Sequence, residues 1–211
     1  MESLISLDAS TTEIGYTIWD KSNGEMLEIN HLTLPNEKKL IEKLDYFSEH
    51  INQLKDKFNI NEMVIEQSYE AMFGGNSRTE VTTMLNQINF GFQYVCHIKG
   101  ITPHSISVSD CRKYAYPGIK FGKDKETQKK TVLNLFIKEK SISLLPKKIV
   151  NRKTKNNNKG DEILENFAYD MVDSYVVGKA FFNLKNLGIS PEKLQELKKE
   201  TKKLKKKKTK I

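Results

Sequence analysis

The order of strand-like and helix-like segments restricts this chain most. Residues 3–32 hold three strand-like runs with no helix among them, and each later strand-like run is separated from the next by a helical pattern. In Ser3 to Asp8, Leu4, Ile5 and Leu7 are apolar, which reads as a buried strand. Gly15-Tyr16-Thr17-Ile18-Trp19 is rich in β-forming residues. Lys21-Ser22-Asn23-Gly24 carries the Asn-Gly hairpin signal, and Met26 to Leu32 alternates apolar and polar. The chain therefore opens as a three-stranded antiparallel meander.

After it, Pro35-Asn36 opens a helix with Leu40, Ile41, Leu44, Phe47, Ile51 and Leu54 on one face. Met63-Val64-Ile65 is a continuous apolar run, as in an interior strand. A helix over 80–98 follows, with Ser77 or Thr79 as its cap, and residues 102–108 make a fifth strand. Ser109 and Asp110 then cap a short helix, and Lys125 to Lys140 form a basic amphipathic one. Residues 146–160 read as a basic, Asn-rich loop. Asp161 to Leu184 reads as a long helix that turns Ile163, Leu164, Phe167, Met171, Val172, Tyr175 and Val176 to the core. Ser190-Pro191 opens a last helix that runs into Lys205-Lys206-Lys207-Lys208. A meander followed by strands joined through helices predicts an α/β fold: a mixed five-stranded sheet, three antiparallel strands then parallel ones, flanked by helices.

At 211 residues the chain is expected to hold one domain, 1–188, and a basic C-terminal helix or tail, 189–211. No apolar run is long enough to span a bilayer, and the first residues lack the basic stretch of a signal peptide, so no membrane association is expected. Cys96 and Cys111 stand in no disulfide or metal motif, which suits a reducing compartment, the cytoplasm or, for a viral protein, the host cytoplasm. Together with His31, His50, His97 and His104 they show no zinc spacing.

The net charge of +8 hides a segregation. Residues 1–111 carry a net charge of −8, 112–159 carry +12, 160–192 carry −4 and 193–211 carry +8. Basic segments beside acidic ones suit an anionic polymer held against an acidic metal site. For the tail alone, a solubilising role is an equal alternative.

Four carboxylates carry the chemistry. Asp8 ends the apolar run Leu4-Ile5-Ser6-Leu7, and Glu66 ends Met63-Val64-Ile65. If the first and fourth strands lie side by side and parallel, both acids leave the same sheet end, about 5 Å apart. Asp170 and Asp173 are i and i+3 on a helix and share a face. Should that helix cross the sheet end, the four converge and repel one another unless divalent ions neutralise them. Two magnesium ions about 3.5–4 Å apart fit such a cluster, one activating water and one supporting the leaving oxygen, and manganese can substitute. No small-molecule cofactor is expected.

Leu7-Asp8 followed by Gly15-Tyr16, then Ile65-Glu66-Gln67, then Asp170-Met171-Val172-Asp173 resemble the ordered motifs of RuvC-type Holliday junction resolvases, members of the ribonuclease H-like superfamily. The resemblance spans residues 3–183 and is similar to the viral and phage branch. It implies that Asp8, Glu66, Asp170 and Asp173 are metal ligands, and that Tyr69, with Phe73 as competitor, wedges into a junction centre. It also implies that Lys125 is a catalytic lysine near the scissile phosphate and that Arg112 or Lys113 contacts DNA. Arg78, Lys129 and Lys130 are further candidate DNA contacts. The expected activity is structure-selective nicking of branched DNA in recombination or repair. A homodimer is expected, since a symmetric junction needs two sites, and the apolar face of helix 80–98 (Val81, Met84, Leu85, Ile88, Phe92) is its candidate interface, with core packing accounting for part of that face. The chain departs from the family at Asp8-Ala9-Ser10, where many members have Asp-Pro-Gly, and at Asp173-Ser174, where many have Asp-Ala.

Three other readings remain open. One is a nuclease of the same fold acting on forks, flaps or RNA–DNA hybrids. Another is a non-catalytic DNA-binding protein. The third rests on Asp8-Ala9-Ser10-Thr11-Thr12, which also looks like the first phosphate loop of actin-like ATPases and sugar kinases, although no second Gly-rich phosphate loop follows.

Overall fold

The computed structural model describes residues 1–36, 39–67, 79–122, 124–151, 153 and 158–208, without the side chains of 79–81, 125 and 202–208. Strands β1 (Ser3–Ala9), β2 (Glu13–Asp20), β3 (Met26–Thr33), β4 (Ile60–Gln67) and β5 (Thr102–Ser107) form one sheet in the order β3-β2-β1-β4-β5. The first three are antiparallel neighbours, and β4 and β5 add in parallel to β1 and to each other. The sheet is thus the mixed five-stranded one that the segment order predicts, with β1 at its centre.

Alternation along the strands gives the sheet two apolar faces. Ile5, Leu7, Ile14, Tyr16, Ile18, Met63 and Ile65 meet helices α1 (Leu40–Phe58) and α2 (Thr79–Ile98). Leu4, Trp19, Val64 and Ile106 meet α3 (Val108–Ala115), α4 (Lys125–Glu139) and α5 (Ala168–Asn186), with Leu194 of α6 (Pro191–Lys208) at the margin. Among the described residues no helix is long and apolar enough to cross a membrane. Cys96 and Cys111 are buried free thiols.

Several expectations need correction. The long helix begins at Ala168, not at Asp161, because Lys147–Ile149 (β6) and Glu162–Leu164 (β7) pair as a hairpin that takes Ile163 and Leu164 out of the helix. Within the 146–160 segment, Gly160 at φ 95° donates to the Val150 carbonyl at 2.8 Å, and Val150 donates to Asp161, so the loop is closed at its base. The third helix is capped by Ser107, whose hydroxyl accepts from the Asp110 amide, rather than by Ser109 or Asp110. The first helix starts at Leu40 rather than beside Pro35, with the Glu42 carboxylate accepting from the Lys39 amide at 2.9 Å. Finally, Ile88 and Phe92 of the candidate dimer face are wholly buried in the core, with Met84 packed beside them. Among the described residues of α2, the large apolar ones left exposed are Phe90, Tyr94 and Ile98, one face at i, i+4 and i+8.

Candidate active site

The site begins with the pairing of β1 and β4. Leu7 lies opposite Ile65 in parallel register, so Asp8 and Glu66, the next residues, leave adjacent strands at the same end. Both share parity with Leu4, Ser6 and Val64, which puts them on the face that α5 covers. At the end of β4, Asn89 donates to the Glu66 carbonyl at 2.8 Å, and Gln93 donates to the Asn89 side chain at 2.8 Å. These bonds tie the Glu66 backbone to α2.

Two glycines let α5 reach the sheet. Gly15 pairs with Asp8. A Cβ on Gly15 would stand 2.0 Å from the Asp170 carbonyl oxygen and 2.5 Å from the Met171 nitrogen, so the first turn of α5 lies directly on β2. Two turns on, a Cβ on Gly178 would stand 2.2 Å from the Trp19 indole nitrogen and 2.7 Å from Ser6 Oγ. Between them runs a buried polar seam. Trp19 Nε1 donates to Ser6 Oγ at 2.8 Å, Ser6 Oγ donates to the Ser174 carbonyl at 2.8 Å, and Ser174 Oγ lies 2.8 Å from Thr17 Oγ1 while donating to the Met171 carbonyl. Directional bonds fix the rotation of a helix about its axis, which apolar contact alone does less well. That rotation brings Asp170 and Asp173 to the Asp8 side.

The electrostatics follow. Asp8 is pushed well above the usual carboxylate range, first by burial, then by the negative charges of Glu66, Asp173 and Asp170, while the Lys129 ammonium pulls it down. Asp173 is itself buried. Beneath the cluster, burial and the surrounding acids Glu66, Asp110, Asp8 and Asp173 push the Cys111 thiol up, which keeps it a neutral packing residue. The four acids that the sequence singles out are therefore electrostatic neighbours. Among the described residues, however, no three His, Cys, Asp or Glu side chains stand as a ready-made ligand set. The donors fit a hard divalent cation by their chemistry, oxygen ligands whose mutual repulsion a cation relieves.

The candidate DNA contacts divide. Lys129 is half-buried, acts on Asp8, and has its Nζ 5.6 Å from the centre of the Tyr169 ring. Lys125 opens α4, which is capped by Asp124 accepting from the Thr127 amide at 2.8 Å; its side chain lies outside the description. Arg112 donates to Gln128, whose amide donates to the Gly122 carbonyl at 2.6 Å. With Lys113, Tyr116 and Phe121 they line a cleft of about 310 Å³. Lys113 is exposed, and Lys130 pairs with Glu126 at 2.7 Å. Tyr69, Phe73 and Arg78 lie outside the described residues.

Sequence reasoning missed the seating devices: Gly15, Gly178, the Ser6–Thr17–Trp19–Ser174 seam and Asn89. A glycine inside a strand and another inside a helix were the available signals, since each weakens its own element and so marks a close approach.

No protein-family model and no curated protein sequence matches the chain. Solved structures do. Thermus thermophilus RuvC in complex with a Holliday junction substrate superposes with a TM-score of 0.58 at 8% identity, over 90% of this chain and 99% of that one. Thermus thermophilus RuvC in another structure gives 0.55 at 7% identity, over 90% and 98%. The yeast mitochondrial Holliday junction resolvase Ydc2 gives 0.52 at 14% identity, over 87% and 78%. Taken with the mixed five-stranded sheet, these likenesses show the fold: the chain has the ribonuclease H-like fold of the RuvC-type Holliday junction resolvases.

Proposed function

We propose that the protein is an endonuclease that nicks four-way or otherwise branched DNA by hydrolysing phosphodiesters at the Asp8–Glu66–Asp170–Asp173 cluster. One observation carries the reading: Asp8 is set among three other acids and held well above its usual range, an arrangement whose mutual repulsion a bound cation would relieve. Two magnesium ions are the cofactors that the donor set suits, and when bound they activate water and neutralise charge at the departing oxygen. Asp8, Glu66, Asp170 and Asp173 are the residues that would hold the ions. Lys129 tunes the Asp8 carboxylate and competes with Lys125 for the place beside the scissile phosphate. Arg112 and Lys113 offer phosphate contacts at the cleft that they line.

Likeness to a protein solved with a Holliday junction supports branched DNA as the substrate. A symmetric junction requires two sites, hence a homodimer. The exposed Phe90, Tyr94 and Ile98 stripe of α2 supports that helix as the interface. An end-labelled four-way junction with magnesium, run beside linear duplex, fork and RNA–DNA hybrid, tests the reading. Paired nicks across the junction, lost in Asp8→Asn and Glu66→Gln, are expected. Cutting only forks or hybrids would overturn the substrate.

A further inference from the structure

The C-terminal helix is docked in a way that composition alone does not explain. Along α6, Glu192 Oε1 meets His104 Nδ1 at 2.9 Å, Gln195 Nε2 meets Ser105 Oγ at 3.5 Å, and Lys198 bonds Asp110 and reaches Ser107 Oγ at 3.4 Å. Leu194, only 6% exposed, anchors the same stretch in the core. The partners advance together, 192, 195, 198 against 104, 105, 107, so α6 runs parallel to β5. β5 is parallel to β4, and β4 to β1. The helix therefore points toward the sheet end from which Asp8 and Glu66 emerge.

What lies beyond Lys198 is almost purely cationic. Residues 199–208 hold seven lysines against Glu200, with Leu204 the one large apolar residue, and the backbone stays helical to Lys208. Ten residues carry the helix about 15 Å past its last sheet contact. Like charges at i and i+4, such as Lys199 and Lys203 or Lys202 and Lys206, destabilise an isolated helix. A run of phosphates would relieve them. One apolar residue in ten gives no face for entering a bilayer.

We infer that residues 199–208 form a phosphate-binding arm, held in register by the His104–Glu192 and Asp110–Lys198 contacts, that tracks the backbone of a DNA duplex leaving the carboxylate site. The arm supplies sequence-independent attraction where the acidic cluster would otherwise repel the polymer. Its position next to the cutting centre rests on the nuclease reading above; its affinity for DNA does not.

The test changes Lys202, Lys203, Lys205, Lys206 and Lys207 to Gln in the full chain. Binding to a fluorescent four-way junction and to a linear duplex is measured with magnesium, in an Asp8→Asn background to prevent cutting, over a range of salt. Cleavage is measured separately at saturating protein without that background. The arm predicts at least about ten-fold weaker binding to both DNAs and a slope of log K against log salt shallower by about 2–4, at about 0.9 for each phosphate no longer neutralised. The saturated cleavage rate should stay within about two-fold. Unchanged affinity and slope with cutting intact would overturn the arm and leave the nuclease reading standing. Weakened binding by a protein that cuts nothing would keep the arm and overturn the nuclease reading. Loss confined to binding of anionic vesicles, with DNA binding unaffected, would overturn the arm in favour of a membrane surface.

Discussion

At Asp8 the burial of a carboxyl and the nearness of three more acids act in one direction, raising its affinity for a proton. Its folded value lies above the ordinary 3.8, so the native chain binds that proton more tightly than the unfolded chain does. Without divalent cations, the stability that Asp8 contributes is fully present below about pH 3.8 and is lost as pH rises through the folded value. Cation-free thermal melts between about pH 4 and pH 8 should show the wild-type Tm falling relative to Asp8→Asn; parallel curves would contradict the account. Lys129 has the opposite sign, since its charge favours the ionised form of Asp8. Lys129→Ala should move the acid limb of the cleavage profile to higher pH, and Lys129→Arg should restore it. An unaltered acid limb in Lys129→Ala would place that lysine outside the site. That Asp8 and Glu66 leave one sheet end together was legible from the sequence because an acid closing an apolar strand is conspicuous. The role of Lys129 was not, because one lysine among many in a basic segment carries no signal until the fold sets it beside Asp8.

The element that decides whether the site exists is α5. It brings two of the four acids, and its approach depends on the lack of a side chain at Gly15 and Gly178. Gly15→Ala should destabilise the protein by about 3 kcal/mol, the upper end for overpacking, because the clash is with backbone that cannot turn aside. Urea unfolding measures this, and a change below about 0.5 kcal/mol would show that α5 does not lie on β2 as described. Ser174→Ala should cost about 1–3 kcal/mol by leaving the buried Thr17 hydroxyl without its Ser174 partner. Strand order and the two-sided burial of the sheet could be read in advance, because period-two alternation and strand-by-helix spacing are local properties. The start of α5 could not. Ile163 and Leu164 fit a helical period as well as a strand, and their pairing with β6 is a non-local choice. The α2 face divides for a related reason: an apolar stripe says that it is buried, but not whether the core or a second copy buries it, and Ile88 and Phe92 lie in the core.

For the whole molecule, Asp8, Glu66, Asp170 and Asp173 concentrate negative charge at one sheet end, where the Lys129 ammonium acts on Asp8, while most of the positive charge is carried by residues 112–159 and 193–211. On the proposed reading, that division suits a polyanion. Assembly should follow from the exposed stripe of α2. Phe90→Glu with Tyr94→Glu should give a monomer by sedimentation and convert paired cuts into single nicks, whereas a dimer of unchanged stability would move the interface elsewhere. If the four acids form one cation-dependent cutting centre for branched DNA, an end-labelled four-way junction incubated with the full chain and magnesium should show symmetric paired nicks. The nicks should form at least about a thousand-fold more slowly with Asp8→Asn or Glu66→Gln and be absent in chelator. Equal cutting by wild type and both variants, or no magnesium dependence, would contradict such a centre.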